Sequence, residues 1–323
     1  MYIRRIMRFP QYHLTLFFSL VLFTACSTRK SEQQHEAESQ QVQKGIRIEA
    51  GGGPEFFKWS TDRIPMVSAH RGGPYSGYPE NAIATFQHVS SQVPTIIECD
   101  IAMTKDSVLV MMHDNSLDRT TTGDGNVAEH TFDELQNLKL VDNDGNVTAY
   151  EIPTLDEVLQ WAKGNAVLTL DVKRGVPFKK VIGAVQANQA QDYAAIITYN
   201  ARDAAEVYQL DSSLMISVSI GSQEAYEAHH AMGVPDNRMI AFVGVSEPDM
   251  SVYDFLHQKG IYCILGVLGN LDRKAIAQGD STYLGYIQRG ADILATDRPL
   301  EAFEAIQPIM KTTSTKRQYF YGY

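Results

Sequence analysis

The sequence predicts an α/β fold in which eight parallel strands form one sheet, either open or closed into a (β/α)₈ barrel. Short apolar runs alternate with helix-periodic segments along most of the chain, which is typical of strand–helix–strand units. One pair of apolar runs lies too close together for a parallel connection, and one long polar segment interrupts the alternation. The chain has 323 residues, 44% of them hydrophobic, which is enough apolar material for one large domain or two ordinary ones.

Nine apolar runs are predicted as strands, and the amphipathic segments between most of them are predicted as helices. The strand runs are residues 66–69, 96–101, 108–112, 167–172, 194–198, 214–218, 239–243, 261–267 and 293–295. The helical segments include residues 155–162, 179–188, 204–210, 226–232 and 253–258. Nine strands are one more than a (β/α)₈ barrel accommodates.

The extra strand is explained by a hairpin. The gap between the second and third runs is too short for a parallel crossover, which needs roughly a dozen residues. The third run is therefore predicted to return antiparallel to the second through a turn at residues 104–107. A hairpin centred there pairs Met103 with Val108 and, in the same register, Glu98 with His113. Eight parallel strands remain.

A polar insertion follows this hairpin. Residues 115–150 are rich in Asp, Asn, Gly and Thr and are too numerous for an ordinary connection between a strand and its helix. Loops at the carboxyl ends of barrel strands usually form the functional site. The segment is therefore predicted to be a small inserted subdomain over the C-terminal mouth of a barrel.

The N-terminus has the pattern of an export signal. Arg4, Arg5 and Arg8 precede an apolar run at residues 14–23, which is too short to span a bilayer as a helix. Thr24-Ala25-Cys26 follows and resembles the lipobox of bacterial lipoproteins, in which the cysteine is acylated. Residues 1–26 are thus predicted as a lipoprotein signal peptide, with Cys26 as the lipid attachment point. An uncleaved signal, or cleavage at Ala25 without a lipid, are the alternatives.

The segment after Cys26 is polar and rich in Gln and Glu up to a glycine cluster that ends at Pro54, so residues 27–54 are predicted as a flexible tether. The expected location is the cell envelope, on its periplasmic or surface face. Cys99 and Cys263 lie in predicted strands, which favours buried thiols over a disulfide framework.

The net charge of the chain limits the classes of partner that it can bind. The formal net charge is −10, and the signal segment contributes only positive charge, so the chain beyond it is still more acidic. Such a protein is a poor partner for nucleic acid or an anionic membrane surface, because both require clustered Lys and Arg. A small anionic substrate would need a local cation, supplied either by basic side chains in the site or by a metal.

The first chemical cluster ends the first predicted strand. His70-Arg71-Gly72-Gly73 follows an apolar run, and Glu80-Asn81 comes shortly after. His70 can transfer protons near neutral pH, and the planar guanidinium of Arg71 suits a phosphate. Taken alone, the motif favours a structural histidine and a surface arginine over a functional pair.

The second cluster lies in the second strand. Strand alternation puts Glu98 and Asp100 on one face, with Cys99 on the other. Two neighbouring carboxylates that point into a barrel repel each other unless a cation lies between them, and oxygen ligands favour Ca²⁺ or Mg²⁺. The hairpin brings His113 beside Glu98, with Asp114 next in sequence.

The third cluster lies in the strand at residues 167–172. Asp171 offers a third carboxylate, and Lys173 offers a second positive contact for an anionic substrate. A structural salt bridge between Asp171 and Lys173 is the alternative.

In these clusters the chain resembles the glycerophosphodiester phosphodiesterase family. The matching motifs are His70-Arg71-Gly72, Glu80-Asn81, Glu98-Cys99-Asp100, His113-Asp114, Asp171-Val172-Lys173 and Thr296-Asp297-Arg298-Pro299. They occur in the family's order between residues 66 and 305. Each motif is weak by itself, whereas the ordered set is specific.

The resemblance implies a (β/α)₈ TIM barrel at residues 55–310, with the inserted subdomain at 115–150 and a C-terminal tail at 311–323. It implies that His70 and His113 are the acid–base pair. It further implies that Glu98, Asp100 and Asp171 hold one divalent cation, Ca²⁺ or Mg²⁺, while Arg71 and Lys173 bind the phosphate. The implied reaction is cleavage of a glycerophosphodiester to glycerol 3-phosphate and an alcohol.

Two positions depart from the family pattern. The third metal ligand is commonly Glu, and Asp171 is one methylene shorter. Where the family often has a Trp-Thr pair that lines the pocket, this chain has residues 265–270, Leu-Gly-Val-Leu-Gly-Asn, which implies the loss of an aromatic wall. The identity of the alcohol therefore does not follow from the resemblance.

Two other functions compete with this one. The first is a phospholipase-like or sphingomyelinase D-like enzyme on the same fold. It would be distinguished by the products that it forms from glycerophosphocholine, glycerophosphoinositol and intact lipids. A non-catalytic lipoprotein that binds phosphodiesters would be expected to lack a catalytic group, yet both histidines, the three acids, Arg71 and Lys173 are present.

Overall fold

The computed structural model describes residues 44–322, so the predicted signal peptide and Cys26 lie outside the described residues. The strands are β1 (Gly45–Ile46), β2 (Met66–Ala69), β3 (Thr95–Met103), β4 (Leu109–Met111), β5 (Val167–Val172), β6 (Ala194–Thr198), β7 (Ile216–Ser219), β8 (Met239–Gly244), β9 (Tyr262–Gly266), β10 (Ile293–Thr296) and β11 (Phe320–Tyr321). Within this range, no helix combines the length and apolarity needed to cross a membrane.

The helices fill the gaps between the strands. They are α1 (Gly53–Phe56), α2 (Ile83–Ser90), α3 (Phe132–Leu135), α4 (Leu155–Ala162), α5 (Phe178–Ala187), α6 (Ala201–Leu210), α7 (Gln223–Ala231), α8 (Met250–Gln258), α9 (Asn270–Gln278), α10 (Ser281–Gln288) and α11 (Pro299–Ile306). Helix α4 has the predicted bounds, and the other four predicted helices begin one to three residues earlier than predicted. Their first turns carry little hydrophobic periodicity.

Eight parallel strands close into a barrel in the order β2, β3, β5, β6, β7, β8, β9 and β10. Closure is made by β2, which pairs in parallel with β3 on one side and with β10 on the other. The predicted (β/α)₈ barrel is thereby confirmed. Parallel strands place all their carboxyl ends at one mouth, where sites on this fold are built.

The hairpin between β3 and β4 is antiparallel as predicted, but the predicted register is wrong by one residue. Met103 pairs with Leu109 instead of Val108, and Ile101 pairs with Met111. The reason lies in the turn, where the Thr104 backbone N–H bonds to the Val108 carbonyl and Ser107 has a left-handed φ of 70°. A three-residue loop that ends in a left-handed residue adds one position to the connection.

The inserted segment packs as a small apolar cluster of its own against the hairpin. Leu117, Val127, Leu135 and Leu140 are buried there. Helix α3 begins with a capping box, in which the Thr131 hydroxyl accepts from the Glu134 backbone and the Glu134 carboxylate accepts from the Thr131 backbone. Bonds from Arg119 to Glu80 and from the Gly77 backbone N–H to Asp142 hold the insertion against the segment that follows β2, beside the barrel mouth.

The two ends of the described chain meet at the amino-terminal side of the barrel. Strand β1 pairs antiparallel with β11, and the Ile46 backbone N–H bonds to the Asn165 carbonyl just before β5. Strand β1 falls within the segment assigned to the tether from its composition, and β11 falls within the predicted tail. Composition gave no sign of this pairing because the two partners are far apart in sequence.

A buried carboxylate, Asp292, ties the same side of the barrel together. Its oxygens accept hydrogen bonds from Trp59 Nε1 at 3.2 Å, from the Cys263 backbone N–H at 2.8 Å and from Arg63 Nε. His257 Nε2 lies 2.9 Å from the second carboxylate oxygen. These four contacts join the segment before β2, which contains Trp59 and Arg63, to α8, β9 and β10.

Candidate active site

Three strands deliver the predicted site residues to the barrel mouth. His70 follows β2 directly, Glu98 and Asp100 lie in β3, and Asp171 lies near the end of β5. Asp100 and Asp171 are direct partners across the β3–β5 pair. Residues from separate segments of the chain therefore converge at one edge of the sheet.

We call Glu98, Asp100 and Asp171 the carboxylate cluster. One oxygen from each lies within 4.8 Å of the others. Three carboxylate oxygens at this spacing are a donor set suited to a hard divalent cation such as Ca²⁺ or Mg²⁺. Burial and the neighbouring charge of Asp100 raise the pKa of Glu98 to about 8, which indicates more negative charge here than the side chains neutralise.

Lys173 partly compensates this charge. Its Nζ lies 2.5 Å from Asp100 Oδ1 and 2.6 Å from Asp171 Oδ2, so the salt bridge left open as an alternative is present and extends to a second acid. Burial raises the pKa of Asp100, but the charge of Lys173 outweighs it and the pKa is lowered overall. The remaining oxygen of Asp171 accepts from the Tyr199 hydroxyl at 2.9 Å.

The raised pKa of Glu98 has a consequence for metal-free protein. The folded state keeps a proton on Glu98 between its ordinary pKa of 4.5 and about 8, whereas the unfolded chain has lost it. The contribution of Glu98 to the free energy of unfolding should therefore fall as the pH rises across that range. Urea unfolding in EDTA at pH 6 and pH 8 measures this change, and the Glu98→Gln variant should gain stability relative to wild type as the pH rises. Parallel curves for the two proteins would contradict the expectation.

His70 lies in a tight turn that the glycines make possible. The turn spans His70–Gly72, and Arg71, Gly72 and Gly73 all have positive φ angles. A Cβ atom at Gly72 would collide with the ring of Phe86 in α2, so this position requires glycine. The turn directs the imidazole of His70 towards the mouth, where its Nδ1 lies 2.7 Å from Asp297 Oδ1.

The contact with Asp297 affects both the pKa and the orientation of the His70 ring. Burial lowers the pKa of His70, but the hydrogen bond to Asp297 and the charges of Glu98 and Asp297 outweigh it, so the pKa is raised overall. The contact engages Nδ1 and thereby orients Nε2, the other ring nitrogen. Asp297 stood in a recognised motif, yet sequence reasoning gave it no role.

His113 has a similar carboxylate partner, reached from the insertion side. Its Nδ1 lies 2.6 Å from Asp114 Oδ1, and the other oxygen of Asp114 accepts from Arg119 Nε at 2.7 Å. The hydrogen bond from Arg119 lowers the pKa of Asp114. His113 is close enough to the carboxylate cluster for its charge to lower the pKa of Asp100. Sequence reasoning missed Arg119, because a lone arginine in a polar insertion carries no signal.

Arg71 lies between these groups. Its backbone N–H donates to Glu98 at 2.7 Å, and its Nη1 donates to Glu80. Arg119 grips the same Glu80 carboxylate with both Nη atoms, at 2.9 and 2.8 Å. The Nε of Arg71 is buried without a hydrogen-bond partner in the described part of the chain, 3.8 Å from Asp100 Oδ2. A buried donor of this kind suits an incoming anion.

Two chambers flank His70. A polar chamber of about 470 Å³ has walls that include Arg71, Arg119 and Asn143. An apolar chamber of about 270 Å³ lies inside the barrel mouth, against Phe242 and Leu268, with Glu98 and Asp171 at its edge. Another cavity, of about 790 Å³, lies at the amino-terminal side of the barrel and contains none of the predicted site residues.

The apolar chamber has an aromatic wall from a strand that the sequence comparison did not consider. The sequence implied that an aromatic wall is lost at residues 265–270, but the ring of Phe242 supplies one from the neighbouring strand β8. A Cβ atom at Gly266 would lie 2.8 Å from Phe242 Cζ, so the ring occupies the space that a side chain at position 266 would take. The family pattern could not reveal this because the ring comes from a different strand.

Comparison with known proteins adds a family to this geometry. The model of the Glycerophosphoryl diester phosphodiesterase family matches residues 70–237. A solved structure of a glycerophosphoryl diester phosphodiesterase from Parabacteroides distasonis has a TM-score of 0.80 and 34% identity to this chain, and the match covers 86% of this chain and 99% of that one. A phosphodiesterase from Oleispira antarctica, solved with the product sn-glycerol-3-phosphate, has a TM-score of 0.61, covers 76% and 97%, and at 21% identity shows the fold alone.

Curated relatives match over shorter stretches. Glycerophosphodiester phosphodiesterase 1 of Mus musculus is 37% identical over 116 residues, which are 35% of this chain and 34% of that protein. Glycerophosphodiester phosphodiesterase of Caldanaerobacter subterraneus subsp. tengcongensis is 31% identical over 160 residues, which are 47% of this chain and 65% of that protein. The chain thus spans about a third of the mouse relative's length and just under two thirds of the bacterial one.

Proposed function

The chain belongs to the glycerophosphoryl diester phosphodiesterase family, and we propose that it hydrolyses glycerophosphodiesters to glycerol 3-phosphate and an alcohol. One observation carries the proposal. Two histidines, each with a carboxylate on Nδ1, lie next to a cluster of three carboxylates at the mouth of one barrel. This arrangement supplies proton transfer and charge stabilisation, which are what cleavage of a phosphodiester requires.

The carboxylate cluster fits a divalent cation. Its donors are all oxygen, they lie within 4.8 Å of one another, and Lys173 already bridges two of them as a cation. We propose Glu98, Asp100 and Asp171 as the ligands of one Ca²⁺ or Mg²⁺. A bound divalent cation supplies charge stabilisation to the phosphoryl oxygens and lowers the repulsion that an anionic diester offers to a nucleophile.

Basic side chains hold the phosphate beside this cluster. The Nε of Arg71 has no hydrogen-bond partner among the described residues and lies 3.8 Å from Asp100 Oδ2, while Nη1 is fixed by Glu80. Lys173 lies at the same edge, between Asp100 and Asp171. A guanidinium that is already oriented loses little conformational freedom when it binds a phosphate oxygen. Arg71 is therefore assigned the first contact with the phosphate, and Lys173 the second.

The two histidines divide the proton transfers. One removes a proton from the nucleophile, which is either a water molecule or the glycerol 2-hydroxyl acting through a cyclic phosphate. The other protonates the departing alkoxide. The carboxylates on Nδ1 leave Nε2 of each ring for this chemistry and stabilise the charged form of the ring that develops during transfer.

The test is a panel of glycerophosphodiesters assayed in EDTA, with Ca²⁺ or Mg²⁺ then added back. Turnover should fall by about 10²-fold or more in EDTA and return with one of the two ions, because several kcal/mol of charge stabilisation are removed. Glu98→Gln and Asp171→Asn should behave like the EDTA-treated protein. Glu151→Gln, which alters an exposed carboxylate paired with Lys139 in the insertion, is the matched control.

The panel also separates the competing functions. Release of glycerol 3-phosphate from glycerophosphocholine or glycerophosphoinositol supports the proposal. Cleavage of intact phospholipids or sphingomyelin alone would favour the phospholipase-like or sphingomyelinase D-like reading. Binding of phosphodiesters without turnover under every metal condition would leave the non-catalytic alternative.

A further inference from the structure

A buried carboxylate, Asp272, lies behind His70 and belongs to none of the motifs that form the site. Asp272 lies in the first turn of α9 and is 3% exposed. Its Oδ1 accepts from the Tyr283 hydroxyl at 2.7 Å and from the Thr296 hydroxyl at 2.8 Å. Its Oδ2 accepts from the backbone N–H of Asp297 at 2.9 Å.

The last of these bonds leads directly to the active site. Strand β10 ends at Thr296, so the N–H of Asp297 lies beyond the last strand pairing, and Asp272 is its acceptor. The side chain of Asp297 then holds His70 Nδ1 at 2.7 Å. Asp272 therefore fixes the backbone from which the partner of His70 projects.

Burial of the Asp272 carboxylate costs free energy. No Lys, Arg or His lies at ion-pair distance from Asp272 among residues 44–322, and burial raises the pKa of Asp272 against the three hydrogen bonds. Its three neighbours are all donors in this arrangement, two hydroxyls and one amide. An apolar side chain would leave the amide of Asp297 without an acceptor, which explains why a side chain with an acceptor oxygen is placed here.

We propose that Asp272 is a positioning residue, which orients His70 through Asp297 and does not itself touch substrate. The assignment rests on the proposed function for its effect on turnover, but its structural effect on His70 can be observed without any substrate. The His113–Asp114 pair serves as an internal comparison for the His70–Asp297 pair, because Asp114 is held by Arg119 and not by Asp272.

The kinetic test compares Asp272→Leu with Asp272→Asn. Leucine removes every acceptor, and we expect kcat to fall about 10- to 100-fold, as for other partners that orient a catalytic group, with KM changed less than about twofold. Asparagine keeps a carbonyl oxygen for the Asp297 N–H, and its amide can donate to the two hydroxyls, which can rotate. We therefore expect Asp272→Asn to retain most of the wild-type kcat.

A spectroscopic test reports on His70 without turnover. Low-temperature proton NMR of the metal-free protein should show a low-field imidazole N–H resonance from each of the two Nδ1–carboxylate pairs of the site, beside that of the buried His257–Asp292 pair. Asp297→Asn and Asp114→Asn assign them to His70 and His113. Asp272→Leu should lose or shift the His70 resonance and keep that of His113, whereas Asp272→Asn should keep both.

Controls separate positioning from general damage. Asp236→Leu breaks a similar tyrosine–aspartate pair with Tyr226, away from the mouth, and should leave both resonances and kcat unchanged. In an Asp297→Asn background, Asp272→Leu should lower kcat less than about twofold further, because its route to His70 is already broken. If Asp272→Leu does not fold, Tyr283→Phe and Thr296→Val remain, and both should keep the His70 resonance because the Asp297 bond survives.

Three results would overturn the assignment. They are an unchanged His70 resonance in folded Asp272→Leu, additive losses of kcat in the Asp297→Asn background, or loss of the His70 resonance in Tyr283→Phe or Thr296→Val. Failure of the proposed function would look different, since no glycerophosphodiester would be turned over while the two resonances responded as described.

Discussion

Replacing His70 or His113 with alanine should lower turnover of glycerophosphodiesters by about 10²- to 10⁴-fold, the range typical of a lost general acid or base. Each ring has one nitrogen engaged by a carboxylate and lies near the carboxylate cluster, so alanine removes a proton-transfer group that its neighbours hold in place. The loss should appear mainly in kcat, because Arg71 and the carboxylate cluster remain in place to bind the phosphate.

Steady-state kinetics and thermal unfolding of the two variants measure this effect. Both rings are partly exposed, so their removal should change the melting temperature little. His230→Ala is the control, since His230 lies on α7 with a side chain that is 63% exposed. Wild-type turnover in both His70→Ala and His113→Ala would rule out the two-histidine mechanism.

Replacing Asp292 with leucine should lower the free energy of unfolding by about 3–5 kcal/mol, as expected when one member of a buried ion pair is removed. The change leaves Arg63 without its partner and frees the donors of Trp59 and Cys263. Because these contacts join the segment before β2 to β9 and β10, the loss should be cooperative across the barrel. Urea unfolding monitored by tryptophan fluorescence measures it directly, since Trp59 is one of the partners.

The comparison for this variant is an exposed ion pair. Glu151→Gln removes the contact with Lys139, where both side chains are well exposed, and should cost no more than about 1 kcal/mol. Asp292 lies at the amino-terminal side of the barrel, so kcat of Asp292→Leu should stay near wild type below its unfolding temperature. Equal stability of the two variants would show that the Asp292 cluster adds nothing.

Most of the fold could be predicted from the sequence because it depends on local patterns. Apolar runs of strand length, separated by helical periodicity, mark the parallel units without knowledge of their partners. The facing of Glu98 and Asp100 follows from strand alternation, and their pairing with Asp171 follows once β3 and β5 are neighbours. The carboxylate cluster was therefore accessible from sequence.

The groups that orient the site were not accessible in this way. Asp297 lies 227 residues from His70, and Asp272 reaches it through a backbone amide. An acidic chain offers many candidate partners, and only the closed barrel selects among them. The hairpin register failed for a different reason, because the left-handed Ser107 adds a residue that no hydrophobic pattern reports.

The ring of Phe242 lies against Gly266 on the adjacent strand, so the side chains that fit at these two positions depend on each other. A methyl group at position 266 has no room unless the ring turns away, and a smaller residue at 242 would leave a void where the ring now lies. Neither position can therefore drift alone in related sequences. In related proteins, the width of the apolar chamber should therefore change through paired substitutions, in which a larger side chain at one of the two positions accompanies a smaller one at the other.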